Sequence, residues 1–105
     1  MTKYGLNEDV INKINNVFIK YPEIEEVILY GSRAKGNFKN RSDIDLTITG
    51  ENINLTLINK IINDLDDLLL PYTIDLSDFK SISNSDLIDH IKRVGIVFYK
   101  KDIIK

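Results

Sequence analysis

The residues best placed to do chemistry lie between Leu29 and Thr49, in the run LYGSRAKGNFKNRSDIDLTIT. A Gly31-Ser32 pair is followed by ten residues and then by Asp43-Ile44-Asp45. Two aspartates two positions apart on a strand project their carboxylates to one face. Side by side they repel unless a cation sits between them. Hard carboxylate oxygens together with triphosphate oxygens suit Mg²⁺. Two such ions, roughly 3.5–4 Å apart, can bridge an attacking and a leaving oxygen. Gly31 has no Cβ, so its backbone can approach a bulky anion. Ser32 offers a hydroxyl and an N–H at the start of a short helix, where an anion is favoured. Arg33 and Lys35 add positive charge near the phosphates. Asp75 is the third candidate carboxylate, able to complete the ligand set and to take a proton from an attacking hydroxyl.

The surrounding elements must bring these groups together. Glu25–Tyr30 reads as a short apolar strand, hence central. Gly31-Ser32 breaks it, and a short helix runs to about Gly36. Residues 43–49 alternate strictly, with Ile44, Leu46 and Ile48 on one face and Asp43, Asp45, Thr47 and Thr49 on the other. The connection between these two strands is too short for a parallel crossover, which predicts an antiparallel pair. The end of the first strand then meets the start of the second, and Gly31-Ser32 lies beside the aspartates. A helix over 54–70, with Ile58, Ile61, Ile62, Leu65, Leu68 and Leu69 on its apolar stripe, forms a crossover to a third strand over 72–77. A right-handed crossover makes that strand parallel to the second and places Asp75 on the same face. A helix over 8–20 capped by Asn7 precedes this unit. A helix capped by Ser83 or Ser85 and a strand over 96–99 follow it, and residues 100–105 are expected to fray. The expected fold is therefore α/β (α+β), with a mixed sheet of about four strands and helices packed on it.

Composition narrows the class. With 105 residues, 43% hydrophobic and 29% charged, the chain reads as one domain over 1–105. The net charge of −2 argues against general nucleic-acid binding, which needs a basic face. The absence of cysteine excludes disulfides and thiolate metal sites and fits a reducing cytoplasm. The start MTKYGLNEDV has no apolar signal region, and no apolar run is long enough to span a bilayer. No membrane association is expected.

Gly31-Ser32, ten residues, Asp43-x-Asp45 resembles the signature of the polymerase-β-like nucleotidyltransferase superfamily. GSRAKG…RSDIDL is similar in particular to the minimal nucleotidyltransferases, the MntA-type antitoxins paired with HEPN toxins. The resemblance covers most of the chain. Lys35 stands where an arginine is commoner, which keeps the charge. The resemblance implies that Gly31 and Ser32 hold the triphosphate, with Arg33 beside them. It implies that Asp43 and Asp45 ligate both Mg²⁺ ions, and that Asp75 is third ligand and base. It further implies transfer of AMP from ATP to a hydroxyl, with pyrophosphate released. The expected acceptor is a tyrosine on a helical HEPN-type toxin, since the chain has no room for an acceptor-binding domain of its own.

Plainer roles stand beside these. Asp43 and Asp45 could be a solvent-facing pair, Asp75 an exposed strand residue, Gly31 a turn glycine and Ser32 an N-cap. Asp78, three positions beyond Asp75, is expected on the opposite face. His90 is expected at the surface, Asp64, Asp66 and Asp67 on a solvated helix face, and Tyr72 and Tyr99 in packing. Lys35, Lys39 and Arg41 are left without a role. The rival functions are a non-catalytic module that neutralises its partner by binding, and an enzyme acting on a small hydroxylated molecule or an RNA end. A homo-oligomer is left open.

Overall fold

The computed structural model describes residues 2–102. It opens on a small hairpin, β1 (Thr2–Lys3) against β2 (Leu6–Asn7), with Thr2 opposite Asn7. The two turn residues, Tyr4 and Gly5, both have positive φ (58° and 75°), as a tight primed turn requires. The hairpin was not anticipated from the sequence. It delivers Leu6 into the core at 0% exposure. It also changes the start of α1 (Glu8–Ile19): Asn7 precedes the helix but makes no side-chain cap bond. The expected apolar stripe is present, with Ile14, Val17 and Phe18 buried.

Next come β3 (Glu26–Tyr30), α2 (Gly31–Lys35), β4 (Ile44–Thr49), α3 (Leu55–Asp66), β5 (Ile74–Asp78), a single 3₁₀ turn, α4 (Ser85–Val94) and β6 (Ile96–Lys100). The four longer strands form one mixed sheet in the order β5-β4-β3-β6. β3 and β4 are antiparallel, with Tyr30 opposite Asp45. β4 and β5 are parallel, with Asp45 opposite Asp75. β6 closes the other side of β3 in antiparallel fashion, with a register shift between Val27 and Ile28. The expected fold class and both strand relations are as the spacing implied.

Alternation sorts the sheet into two faces. Val27, Leu29, Ile44, Leu46, Ile48 and Leu76 join the buried cluster that also holds Phe18, Ile58 and Ile61 of α1 and α3. Each fully buried aliphatic side chain of this kind is worth about 1.5–3 kcal/mol. The alternate residues of β3 turn to the opposite side, where α4 lies. A Cβ on Gly95 would meet Ile28, and the His90 ring stands edge-on to Tyr30.

Several boundaries differ from expectation, β5 among them, which spans Ile74–Asp78 rather than 72–77. α3 ends at Asp66 rather than residue 70. Leu69 beyond it adopts φ 54° and is 88% exposed, so it is not part of the buried stripe. α4 is capped by Asn84, whose side chain accepts from Asp86 N and Leu87 N at 2.9 and 3.2 Å, and not by Ser83 or Ser85. Lys100 belongs to β6, and Lys101 N donates to Glu25 O at 2.9 Å. The rest of the expected fraying end, 103–105, lies outside the described residues. Among the described residues no helix is long and apolar enough to cross a membrane.

Candidate active site

The sheet register sets Tyr30, Asp45 and Asp75 in a row across β3, β4 and β5. Cross-strand partners share a face, so all three side chains project to the same side. Asp43 lies just ahead of β4 and is exposed. The start of β4 is pinned to the residue just ahead of β5 by Ile44 N donating to Thr73 O at 2.9 Å. Asp75 is exposed and Asp45 half-buried.

Gly31 follows Tyr30 directly and adopts φ 75°. A Cβ at this position would overlap Asp45 Oδ2. Glycine is therefore needed both for the backbone angle and for the close approach of the turn to Asp45. Ser32 follows in the first turn of α2, half-buried. Gly36, with φ 90°, ends the helix, and its N–H donates to Ser32 O at 2.9 Å. The structure thus brings Gly31-Ser32, Asp43, Asp45 and Asp75 to one end of the sheet.

The electrostatics follow from this crowding. Burial raises the Asp45 carboxyl above its ordinary value, and repulsion from Asp75 and Asp43 adds to it, while His90 opposes. The ion pairs among the described residues are Lys13–Asp9, Lys20–Asp64 and Arg93–Asp89, none of which involves these three carboxylates. The Tyr30 hydroxyl is likewise raised by burial, with Asp75 and Asp45 adding and Ser77 opposing.

The donor set fits a hard divalent cation: carboxylate oxygens on one face, carrying uncompensated charge. Among the described residues, no group of three or more His, Cys, Asp or Glu side chains is gathered tightly enough to hold an ion unaided. Oxygen ligands from a bound substrate would have to complete the coordination, and a triphosphate supplies them.

Arg33, expected beside the phosphates, is engaged by backbone carbonyls. It is 2% exposed and forms no ion pair with the carboxylates. Its guanidinium donates to Ser42 O from Nε and Nη2 at 3.1 and 2.9 Å, to Asn40 O at 3.3 Å and to Tyr4 O at 2.9 Å. It also packs on the rings of Phe38 and Tyr72, 5.3 and 5.1 Å from their centroids. The physical reason is that carbonyls of the 37–42 loop and of the hairpin turn converge there and need donors. A planar cation with five N–H groups satisfies several at once. Arg33 therefore cinches the loop immediately before Asp43. Lys35, Lys39 and Arg41 are exposed.

Asp78 is engaged within its own turn. Its carboxylate accepts from Lys80 N at 3.1 Å and Ser81 Oγ at 3.3 Å, capping the 3₁₀ turn.

His90, expected at the surface, is half-buried and reaches the Gly31 turn. Its Nε2 accepts from Gly31 N at 3.0 Å, and its ring meets Tyr30 edge-on at 6.2 Å and 80°. The signal lay in helical spacing: Leu87, His90, Ile91 and Val94 follow the i, i+3, i+4, i+7 pattern of a buried stripe.

Comparison with known proteins identifies the family and the fold. The family described as "Polymerase beta, Nucleotidyltransferase" matches residues 12–104. The chain belongs to the polymerase β nucleotidyltransferase family. Among solved structures, a toxin–antitoxin crystallised with AMP-PNP is 22% identical with TM-score 0.69, covering 87% of this chain and 73% of that one. The toxin–antitoxin MntA-HepT is 18% identical with TM-score 0.65, covering 90% and 74%. A complex of tri-AMPylated Shewanella oneidensis HEPN toxin with MNT antitoxin is 19% identical with TM-score 0.65, covering 90% and 72%. At these identities the likeness is one of fold. No curated protein sequence matches the chain significantly.

Proposed function

We propose that this chain moves AMP from ATP to a hydroxyl on a helical partner protein, a HEPN-type toxin, and so acts as its antitoxin. The observation that carries the proposal is the row of Asp45 and Asp75, with Asp43 alongside, uncompensated by any ion pair among the described residues and touching the Gly31 turn. Membership of a nucleotidyltransferase family supports the reaction class. The fold neighbours, one crystallised with AMP-PNP and one holding an AMPylated HEPN toxin, support the donor and the acceptor.

In this reading Asp43 and Asp45 are the main Mg²⁺ ligands and Asp75 the third. Bound Mg²⁺ supplies charge neutralisation for the triphosphate and for the departing pyrophosphate. Gly31 lets the turn lie against Asp45, so that Ser32 can present its hydroxyl and N–H to the phosphates. Asp75 accepts the proton of the attacking hydroxyl. That oxygen bonds to the α-phosphorus as the bond to the β-phosphate oxygen breaks. Arg33 holds the loop that carries Asp43 and does not touch phosphate.

The test is incubation with the cognate helical partner, ATP and Mg²⁺. One or more additions of roughly 329 Da per AMP unit to a partner hydroxyl are expected by mass spectrometry. A tight complex with ATP bound and no change in mass would contradict transfer and favour neutralisation by binding alone.

A further inference from the structure

The N–H of Gly31 is not free to meet a phosphate, because it already donates to His90 Nε2 at 3.0 Å across 59 positions of sequence. We infer that His90 is a positioning residue for the phosphate turn. It ties the turn to α4, so that Ser32 rather than Gly31 faces the nucleotide. The inference rests on the nucleotidyltransferase reading of the site and assigns α4 a part in it.

Three observations support this role. First, Gly31 sits in a left-handed conformation with φ 75°, a region where glycine moves easily between wells unless something holds it. The described contact that holds its amide is His90. Second, the turn has little room to drift, because Asp45 Oδ2 occupies the space where a Cβ would stand. Rotation of the Tyr30–Gly31 peptide would shift the turn against the carboxylate it must share a ligand with. Third, His90 is carried on a well-anchored helix. Asn84 caps the start of α4, Ile91 is buried at 3% exposure, and Gly95 N closes its end on Ile91 O at 2.8 Å. The edge-on packing of His90 on Tyr30, itself 8% exposed, fixes the ring. An accepting Nε2 needs its lone pair, so in the neutral ring the proton sits on Nδ1. The imidazole thus acts as acceptor on one nitrogen and as packing surface on its edge.

Two substitutions separate these roles. His90→Phe keeps a ring against Tyr30 and removes the acceptor. His90→Gln keeps an acceptor oxygen and removes the ring. Exchange of the Gly31 amide with solvent, followed by NMR, reads the contact without any ligand. Calorimetry with Mg²⁺-ATP reads its consequence. In His90→Phe, Gly31 exchange is expected to speed up by about tenfold or more, and Mg²⁺-ATP affinity to fall roughly tenfold. In His90→Gln, both are expected to stay within about threefold of wild type. The variants predict opposite results, so either one that folds carries the test. Unchanged Gly31 exchange in His90→Phe would overturn the contact. Faster exchange with unchanged Mg²⁺-ATP affinity would overturn the positioning role. Wild-type protein that protects Gly31 but binds no Mg²⁺-ATP would overturn the nucleotide reading, and this inference with it.

Discussion

Asp45 and Asp64 are both half-buried acids, and their surroundings drive them in opposite directions. Asp64, on α3, accepts from the Tyr21 hydroxyl and pairs with Lys20 Nζ at 3.2 Å. The Tyr21 hydrogen bond, then Lys20, hold its carboxyl below the ordinary value. Burial, with Asp64 as hydrogen-bond and charge neighbour, pushes the Tyr21 hydroxyl up to about 12. Asp45 has no such partner, and burial together with Asp75 and Asp43 raises it. Asp64 is complete within the protein and serves the fold. Among the described residues Asp45 has no ion-pair partner, and in the proposed function a bound cation supplies one. Uncompensated charge held in place by a rigid sheet marks a site in a way that the number of acidic residues does not.

The largest expected effect is on chemistry. Asp43→Asn and Asp45→Asn should each abolish nucleotide transfer, by about 10³-fold or more, while melting remains cooperative. Asp64→Asn should leave transfer unchanged. If it did not, the contrast between the two regions would break. Asp75→Asn should lower kcat by roughly 10²–10⁴-fold and change ATP affinity little, because proton removal matters in the transition state. An inactive Asp78→Asn beside an active Asp75→Asn would contradict the assignment of the base.

Next in size is the buried cation. Arg33→Gln leaves carbonyls of Tyr4, Asn40 and Ser42 short of donors. A loss of about 1–3 kcal/mol in denaturant unfolding is expected. Unchanged stability would return Arg33 to the phosphate role that its position in the motif first suggested.

The smallest effect is on pH dependence, where the two acids should behave as opposites. A carboxyl raised in the folded state binds more protons folded than unfolded. The contribution of Asp45 is therefore favourable below the ordinary value of 3.8 and is lost as pH rises through its raised folded value. The contribution of Asp64, lowered in the folded state, is present above 3.8 and is lost as pH falls through its lowered value. Stability profiles of Asp45→Asn and Asp64→Asn, each measured against wild type, should diverge from it in opposite senses.

The Asp45 half of this contrast was legible in the sequence; Asp64 was not, being expected on a solvated helix face while its partner Tyr21 lies 43 positions away. Strict alternation over residues 43–49 and the short 31–42 connection predicted the antiparallel β3–β4 pair, and so the meeting of the Gly31 turn with Asp45. The helical crossover predicted Asp75 opposite Asp45. Three further features escaped for physical reasons. Arg33 occurs in a motif rich in positive charge, and only tertiary structure shows carbonyls from the hairpin turn and from the 37–42 loop converging on it. His90 lies beside charged neighbours that mask its place on the apolar stripe of α4. The β1–β2 hairpin is two residues a side, too short for any periodicity to reveal.

Melting curves of wild type and Asp45→Asn, in EDTA and in Mg²⁺-ATP, test the incompleteness of the site most directly. In EDTA the variant is expected to be the more stable protein, by about 0.5–2 kcal/mol, because one of three like charges is gone. Mg²⁺-ATP is expected to raise the melting temperature of wild type and hardly move that of the variant. A variant less stable than wild type in EDTA, with no response of wild type to Mg²⁺-ATP, would mean that Asp45 is already satisfied within the protein, as Asp64 is.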